Sequence, residues 1–474
     1  MQHVDLIVTG PHFFTMKGEG VGYCGDAAMA VDRGRIVHIG PQAEVLAAFT
    51  AERVLDATAH AVLPGFIDAH MHTGLCILRG LAQDTNYWMM YGLGPFSAQV
   101  DSAAAAAGSR LAILEGLRAG TTTFGDYGNG MDEVCRFIEQ LGARGRITVT
   151  VREAVRRVYA PGELYEFDPA YGRTTLAENL EVFDRWHGQA GGRISVLFGP
   201  QGPDFGSREL LLEVRRLALE RGTRIHMHTQ QGDRETAQLM MRYGKRPIAW
   251  LDEIGYLDKH LIAVHLTDAD EAEAALVARR GAGMILCSGS IGIIDGIVPP
   301  AKAFQDAGGS VALGSDQAPG NNCHNIMSEM KLTALFNKIR YANPEVMPAW
   351  RVLRMATIEG ARAIGLGDEI GSLEPGKRAD FILVDLRRPS MLPVFTEPMR
   401  NIVPNLVYSA RGDEVATVVV DGRVVMENGR ILTVDEEAVY TEAQARALPI
   451  GPKATPEFAR VNGTNAVFMR EGKL

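Results

Sequence analysis

Cysteine is scarce in this chain, which has five cysteines among its 474 residues. They are scattered, and no two have the spacing of a Cys-X-X-Cys pair, which disfavours both a disulfide framework and a cysteine-based zinc site. With 46% hydrophobic residues, a chain of this length buries a large core without disulfides. We therefore expect reduced thiols and a cytoplasmic protein. The cysteines are Cys24, Cys76, Cys135, Cys287 and Cys323.

Long apolar runs and clusters of positive charge are also missing. No uninterrupted apolar stretch reaches the roughly 18 residues of a membrane span, and no basic segment followed by an apolar one marks a signal peptide. Asp and Glu (57) outnumber Lys and Arg (48), giving a net charge of −9. This balance disfavours nucleic-acid binding. We expect a small-molecule substrate, with neither nucleic acid nor membrane as a partner.

Both ends of the chain have the pattern of short β-strands, which are rich in β-branched residues and separated by turns. Asp421-Gly422 is a strong hairpin signal. We therefore predict a β-sandwich built from the two ends of the chain. Its predicted strands are residues 4–9, 28–31, 36–39, 379–386, 415–420 and 424–427.

The middle of the chain alternates predicted strands with amphipathic helices, such as residues 103–118, 208–220 and 269–280. Eight such units over about 300 residues are typical of a (β/α)8 TIM barrel, an α/β fold. The predicted strands are residues 65–72, 121–126, 147–151, 194–198, 224–228, 261–265, 283–287 and 311–316.

The predicted domain organisation follows from these two patterns. Residues 1–62 and 370–440 form the composite β-sandwich, and residues 63–369 form the barrel. Residues 441–474 are expected to form a C-terminal helix and arm that contacts other copies in a homo-oligomer.

Histidine and aspartate recur where the predicted barrel strands end. His70 and His72 are two residues apart, so strand alternation directs both to one face. His228, His265 and Asp316 end three further strands, and the active site of a TIM barrel lies at the carboxyl ends of its strands. Neutral imidazoles with one carboxylate suit a divalent metal ion that keeps a position open for water. A single histidine at a strand end is ordinarily just a hydrogen-bonded polar residue, but the joint pattern predicts a metal site.

Several segments resemble motifs of the amidohydrolase superfamily, in its cytosine-deaminase-like and triazine-hydrolase-like branch. The resemblance covers nearly the whole chain and looks closest to phenylurea and thiocarbamate (molinate) herbicide hydrolases, which degrade xenobiotics. It also implies a composite β-sandwich beside the barrel. The segments are residues 63–72, 115–123, 314–316, 321–322, 328–330, 355–361 and 371–380.

The resemblance implies a ligand set and two catalytic roles. His70, His72, His228 and Asp316 match the metal ligands, and Asp316 also matches the proton acceptor. His265 matches the histidine that contacts water or substrate. The fourth strand, within 195–200, has no lysine to bridge two metals, so one ion is expected. Zinc is the first choice, and cobalt, iron and manganese also accept these ligands.

One position departs from the pattern of related aminohydrolases of nitrogen heterocycles. They have a glutamate three residues after the fifth-strand ligand, which protonates the ring, whereas this chain has Gln231. Glutamine cannot transfer a proton at neutral pH, but it can bind a carbonyl or amide. A register slip would place Gln230 there, with the same result.

The loops after the strands supply candidate substrate contacts. Trp88 and Tyr159 either line an apolar pocket or pack loop against barrel, and the two alternatives stay open. His324 is either a residue near the site or an ordinary loop residue.

The main hypothesis is therefore a metal-dependent hydrolase that cleaves a C–N or C–S bond at a urea, carbamate, thiocarbamate or amide carbonyl. The alternative is an aminohydrolase or dechlorinase of a triazine, purine or pyrimidine. A third alternative is a non-catalytic barrel that serves as a binding module.

Overall fold

The computed structural model describes residues 1–81, 83–85, 88–157, 159, 162–461 and 464–473. Its strands form three sheets, of four, eight and seven strands. In chain order the strands are β1 (Gln2–Gly10), β2 (His12–Phe14), β3 (Tyr23–Cys24), β4 (Ala27–Asp32), β5 (Arg35–Pro41), β6 (Phe49–Asp56), β7 (His60–Pro64), β8 (Phe66–Met71), β9 (Thr121–Gly128), β10 (Arg144–Val151), β11 (Ile194–Pro200), β12 (Ile225–Thr229), β13 (Leu261–His265), β14 (Gly283–Leu286), β15 (Val311–Leu313), β16 (Phe381–Asp385), β17 (Val415–Val420), β18 (Arg423–Glu427) and β19 (Arg430–Ile431).

Helices connect the barrel strands and extend to the C-terminal segment. They are α1 (Gln42–Ala48), α2 (Gly94–Ser97), α3 (Ser102–Arg118), α4 (Met131–Leu141), α5 (Pro169–Trp186), α6 (Gln189–Gly192), α7 (Arg208–Glu220), α8 (Gly232–Tyr243), α9 (Pro247–Glu253), α10 (Glu271–Arg279), α11 (Ser288–Ile294), α12 (Ala301–Asp306), α13 (Ala318–Asn321), α14 (Ile326–Arg340), α15 (Ala349–Met355), α16 (Ile358–Ala363), α17 (Ile402–Tyr408), α18 (Glu436–Ala447), α19 (Ile450–Val461) and α20 (Thr464–Arg470). Short 3-10 helices cover Thr73–Leu78 and Pro389–Met391, and a π-helix covers Trp88–Leu93.

The eight-stranded sheet is the predicted barrel. Its order follows the chain from β8 to β15, and neighbouring strands pair in parallel. A parallel bridge between Met71 and Asp316 joins the two ends. The strands are short apolar runs, and all eight residues of β10 are buried, as the covered strands of a parallel sheet require. The TIM-barrel prediction is confirmed.

The two ends of the chain meet in the other two sheets. One sheet has the order β5-β4-β1-β6, and the other has the order β19-β18-β17-β16-β7-β2-β3, which combines strands from both ends. A buried apolar cluster that includes Leu6, Met29 and Phe381 belongs to both sheets. The predicted hairpin forms at Asp421-Gly422, where both residues have positive φ, as its tight turn demands.

A buried ion pair joins the barrel to these sheets. The Arg144 guanidinium of β10 donates to both oxygens of Asp380, at 2.7 and 3.0 Å. Asp380 also accepts the backbone N–H of Asp421 at 2.7 Å. This pair gives the last residue of the 371–380 motif a structural role.

Residues 441–474, for which a helix and an arm were predicted, are helical over most of their described part. They contain most of α18, together with α19 and α20. Trp88, Leu93 and Phe96 pack in one apolar cluster with Ile450 and Phe458 of α19. The C-terminal helices therefore support the loop that follows β8. Among the described residues, no helix is both long and apolar enough to cross a membrane. The domain boundaries and the homo-oligomer stay predictions.

Candidate active site

Three histidines at or just after the ends of two strands converge at the carboxyl end of the barrel. One imidazole nitrogen from each of His70, His72 and His228 lies within 4.8 Å of the others. The two Nε2 atoms of His72 and His228 are 3.3 Å apart. Two nitrogens that each bind one tetrahedral zinc ion at about 2.0–2.1 Å are separated by roughly 3.3–3.4 Å. The spacing therefore fits a shared ion.

Hydrogen bonds orient the rings so that Nε2 is the free atom. His72 Nδ1 donates to the carbonyl of Tyr127 and His228 Nδ1 donates to the carbonyl of Gln201, both at 2.7 Å. His70 Nδ1 is 3.0 Å from Nε2 of His226, and its own Nε2 is buried without a hydrogen-bond partner among the described residues. Such partners are what fix the tautomer of metal-binding histidines.

Asp316 and His265 complete the cluster. A second group of potential ligands within 4.8 Å consists of His70, His265 and Asp316. Asp316 Oδ1 lies 3.5 Å from His72 Nε2 and 3.8 Å from His70 Nε2. Asp316 Oδ1 and both ring nitrogens of His265 are buried and lack a hydrogen-bond partner in the described part of the chain. Unsatisfied buried polar atoms are costly, and their convergence on one point is what an ion or a bound water would relieve.

Two of these residues have an unusual backbone. His265 has φ of 77° and Asp316 has φ of 58°, a region that non-glycine residues seldom adopt and that is common at functional sites. The Asp316 N–H donates to the carbonyl of His70 at 2.9 Å, and the His72 N–H donates to the carbonyl of Asp316 at 2.8 Å. The prediction that β15 reaches Asp316 is therefore wrong. The strand ends at Leu313, and the turn that follows places the carboxylate.

Burial keeps three of the site imidazoles neutral. It lowers the pKa of His70 and His228 well below the usual range for histidine, and it lowers the pKa of His265 to about 4. A metal binds the neutral imidazole, so these groups need no deprotonation to act as ligands at neutral pH.

A cavity of about 690 Å³ opens in front of His72, His228 and Asp316, within the usual range for small-molecule sites. Part of the lining is apolar and comes from the loop after β8, with Leu75, Met89, Leu93 and Val100. Three arginines, Arg152, Arg156 and Arg234, line the cavity from the segment after β10 and the start of α8, and the acidic Asp101 and Glu133 line it as well.

The predicted substrate contacts have different outcomes. Gln231 lines the cavity. Trp88 is 4% exposed and lies in the cluster with the C-terminal helices, whereas Tyr159 packs against Tyr165 with tilted rings whose centroids are 4.7 Å apart. Both aromatic rings therefore pack their loops against the rest of the protein. Neither residue is among those that line the cavity. Asn86 and Tyr87, which directly precede Trp88, lie outside the described residues.

His324 lies behind the site and not in the cavity. It is fully buried, and its Nδ1 is 2.8 Å from Ser315 Oγ, which donates to Asp68. Ser315 directly precedes Asp316. His324 therefore supports the turn of the predicted proton acceptor, and the prediction of a substrate contact is wrong.

Sequence reasoning missed several residues. Arg152 directly follows β10, and this position at the carboxyl end of a barrel strand was a usable signal. Glu235 and Ser290 carry no such signal. Glu235 accepts the backbone N–H of Gln231 at 3.0 Å, and burial raises the pKa of Glu235 to about 8.

The family is established by comparison. The model of the amidohydrolase family matches residues 61–425. The chain belongs to this family. It is 36% identical over 431 residues to a 5-methylthioadenosine/S-adenosylhomocysteine deaminase of Desulforudis audaxviator, and the match covers 90% of this chain and 95% of that protein.

Two solved structures resemble this amidohydrolase. One is an adenosine deaminase from Xanthomonas campestris with bound zinc, with a TM-score of 0.86, 29% identity, and coverage of 95% of this chain and 99% of that one. The other is the atrazine chlorohydrolase TrzN from Arthrobacter aurescens TC1, with zinc, a TM-score of 0.82, 21% identity and coverage of 93% and 100%. The latter likeness concerns the fold alone. The superfamily prediction is confirmed, but the named relative is a deaminase, which does not support a special likeness to phenylurea or thiocarbamate hydrolases or a role in xenobiotic degradation.

Proposed function

We propose that this amidohydrolase is a single-metal aminohydrolase that replaces the amino substituent of a purine-type heterocycle with oxygen from water. The observation that carries the proposal is the mixed lining of the cavity, which combines apolar side chains with charged and polar ones. A 5′-substituted purine nucleoside has a flat apolar base and a polar sugar, which suit a cavity with both apolar and polar lining residues. The full-length similarity to an enzyme named as a deaminase of such compounds supports the same class.

The Nε2 atoms of His70, His72 and His228, with Oδ1 of Asp316, would hold the ion. Zinc fits this donor set best, and cobalt, iron or manganese would also be accepted. When bound, a divalent ion supplies Lewis-acid activation of water at neutral pH.

The side chains of the site then move protons. Asp316 accepts a proton from the attacking water and returns it to the departing nitrogen. His265 forms a hydrogen bond to the oxygen under addition. The oxygen of water joins the ring carbon, the carbon–nitrogen bond breaks, and the amino group leaves as ammonia.

Gln231 limits this reaction. Its backbone N–H donates to the carboxylate of Glu235 at 3.0 Å, and the residue lines the cavity. The amide can donate a hydrogen bond to the ring nitrogen next to the carbon under attack, but it cannot protonate it. We therefore expect turnover below that of an enzyme with a carboxylic acid in this place.

The same residue favours a second candidate function. A urea, carbamate, thiocarbamate or amide carbonyl needs no ring protonation, because Lewis-acid polarisation of its oxygen suffices. Phenylurea and thiocarbamate herbicides belong to this class.

A substrate screen with the zinc-loaded protein separates the candidates. The panel would contain 5-methylthioadenosine, S-adenosylhomocysteine, adenosine, an aminotriazine, a chlorotriazine, a phenylurea, a thiocarbamate and a simple amide. Ammonia release from the purine nucleosides supports the proposal. Amine or thiol release from the carbonyl compounds, without deamination, would replace it with the second candidate. No turnover and no stoichiometric metal would indicate a non-catalytic binding barrel.

A further inference from the structure

Three consecutive residues at the start of α11 each make a hydrogen bond that crosses to another element. Ser288 Oγ is 2.7 Å from Thr333 Oγ1, and the N–H of Gly289 donates to both carboxylate oxygens of Glu329 at 3.1 and 3.2 Å. Ser290 Oγ donates to Oδ2 of Asp316. Both serines are 1% exposed. The turn after β14 therefore has one fixed arrangement, and Ser290 is the residue that reaches the site.

The two oxygens of Asp316 have different surroundings. Oδ1 faces His70 and His72 and has no hydrogen-bond partner among the described residues. Oδ2 receives the hydroxyl of Ser290. This bond fixes the rotation of the carboxylate, so that one oxygen is directed to the ligand cluster and the other is held beside it.

Glu329 connects the Ser290 turn to the Asp316 turn. It is fully buried, and its Oε1 accepts the Asn321 amide at 2.8 Å in addition to the Gly289 N–H. The same Asn321 nitrogen donates to the carbonyl of Ser315 at 2.8 Å. The motif residues Asn321 and Glu329, whose purpose is not evident from the sequence, therefore lock the two turns to each other.

We propose that Ser290 is a positioning residue that sets the orientation of the Asp316 carboxylate, and that Glu329 with Asn321 holds Ser290 in place. The proposal rests on the proposed function only through the role of Asp316 as ligand and proton acceptor. Loss of a hydrogen-bond partner to a metal ligand commonly costs about 10–100-fold in metal affinity or activity. We expect a loss in this range when the Ser290 hydroxyl is removed.

The test compares Ser290→Ala with Ser288→Ala. The second variant is a matched control because it loses an equally buried hydroxyl in the same turn, but that hydroxyl bonds to Thr333 and not to Asp316. Cobalt(II) affinity is measured by competition with a chromophoric chelator, and the visible absorption of the cobalt protein reports the ligand geometry. The kcat and KM for 5-methylthioadenosine are measured with zinc restored. We expect Ser290→Ala to bind cobalt at least tenfold more weakly, to change the cobalt spectrum, and to lower kcat more than it alters KM. Ser288→Ala keeps the wild-type affinity and spectrum.

Equal cobalt affinity and an equal spectrum in wild type and Ser290→Ala would overturn the proposal, and so would equal losses in the two alanine variants. Glu329→Gln provides a second route if Ser290→Ala does not fold, because it weakens the support of Ser290 without removing the hydroxyl. It should alter the cobalt spectrum in the same direction, and an unaltered spectrum would contradict the proposal. A cobalt effect in a protein that deaminates no purine would leave the positioning role standing and reject the proposed substrate.

Discussion

Replacement of Gln231 by glutamate tests the chemistry of the site most sharply, because the two side chains have nearly the same shape. The glutamine side chain lines the cavity, and its backbone is fixed at the start of α8 by Glu235. A carboxylic acid there can protonate the ring nitrogen, and a positioned general acid contributes about 10²–10⁴-fold to a rate.

We therefore expect Gln231→Glu to raise kcat for deamination of 5-methylthioadenosine by at least tenfold and toward the upper part of that range. Ammonia release is followed with a coupled assay at saturating zinc. The matched control is Gln201→Glu, which places a carboxylate elsewhere in the same cavity. The native Gln201 side chain accepts a hydrogen bond from the Arg152 guanidinium at 3.1 Å. The Gln201→Glu variant should not accelerate the reaction. Equal or lower kcat in Gln231→Glu would refute the argument that ring protonation limits turnover.

Three further outcomes are expected. Asp316→Asn removes an anionic ligand and the proton acceptor together, so kcat of the zinc-loaded variant should fall by more than about 10⁴-fold, and near-wild-type turnover would reject its role. Removal of the metal with a chelator should lower the thermal midpoint, because an ion present at about 1,000 times its Kd stabilises the fold by about 4 kcal/mol; identical melting curves would argue against a bound ion. Phe458→Ala deletes a ring that is 2% exposed and lies 4.9 Å from the ring of Phe96, a loss of about 3–5 kcal/mol of packing. It should raise KM and speed proteolysis within residues 88–101, while Phe183→Ala, which removes a buried ring elsewhere on the barrel, should leave KM unchanged.

The barrel was predictable because each strand is a short apolar run between clear helix and turn signals. The bounds of β13 and α7 agree with prediction to the residue. The convergence of His70, His72, His228 and Asp316 was also predictable, because all strands of a parallel barrel end at the same face.

Other features depend on contacts between distant parts of the chain. The turn that carries Asp316 is set by the carbonyl of His70 and by the Asp68 carboxylate, which accepts from Ser315. The local sequence around Trp88 is the same whether its side chain faces the cavity or packs on α19. Only the contact with α19, a distant part of the chain, places the side chain. Ser290 belongs to no motif, and only the closed barrel brings it to Asp316. Such contacts between distant residues cannot be predicted from the local sequence.

Stepwise zinc restoration to metal-stripped protein, with ammonia release from 5-methylthioadenosine measured at each step, tests the proposed zinc-dependent deamination itself. We expect deamination to be absent without metal, to rise in proportion to bound zinc and to saturate at one ion per chain. Full zinc occupancy without ammonia release, together with cleavage of a urea or thiocarbamate by the same sample, would contradict it.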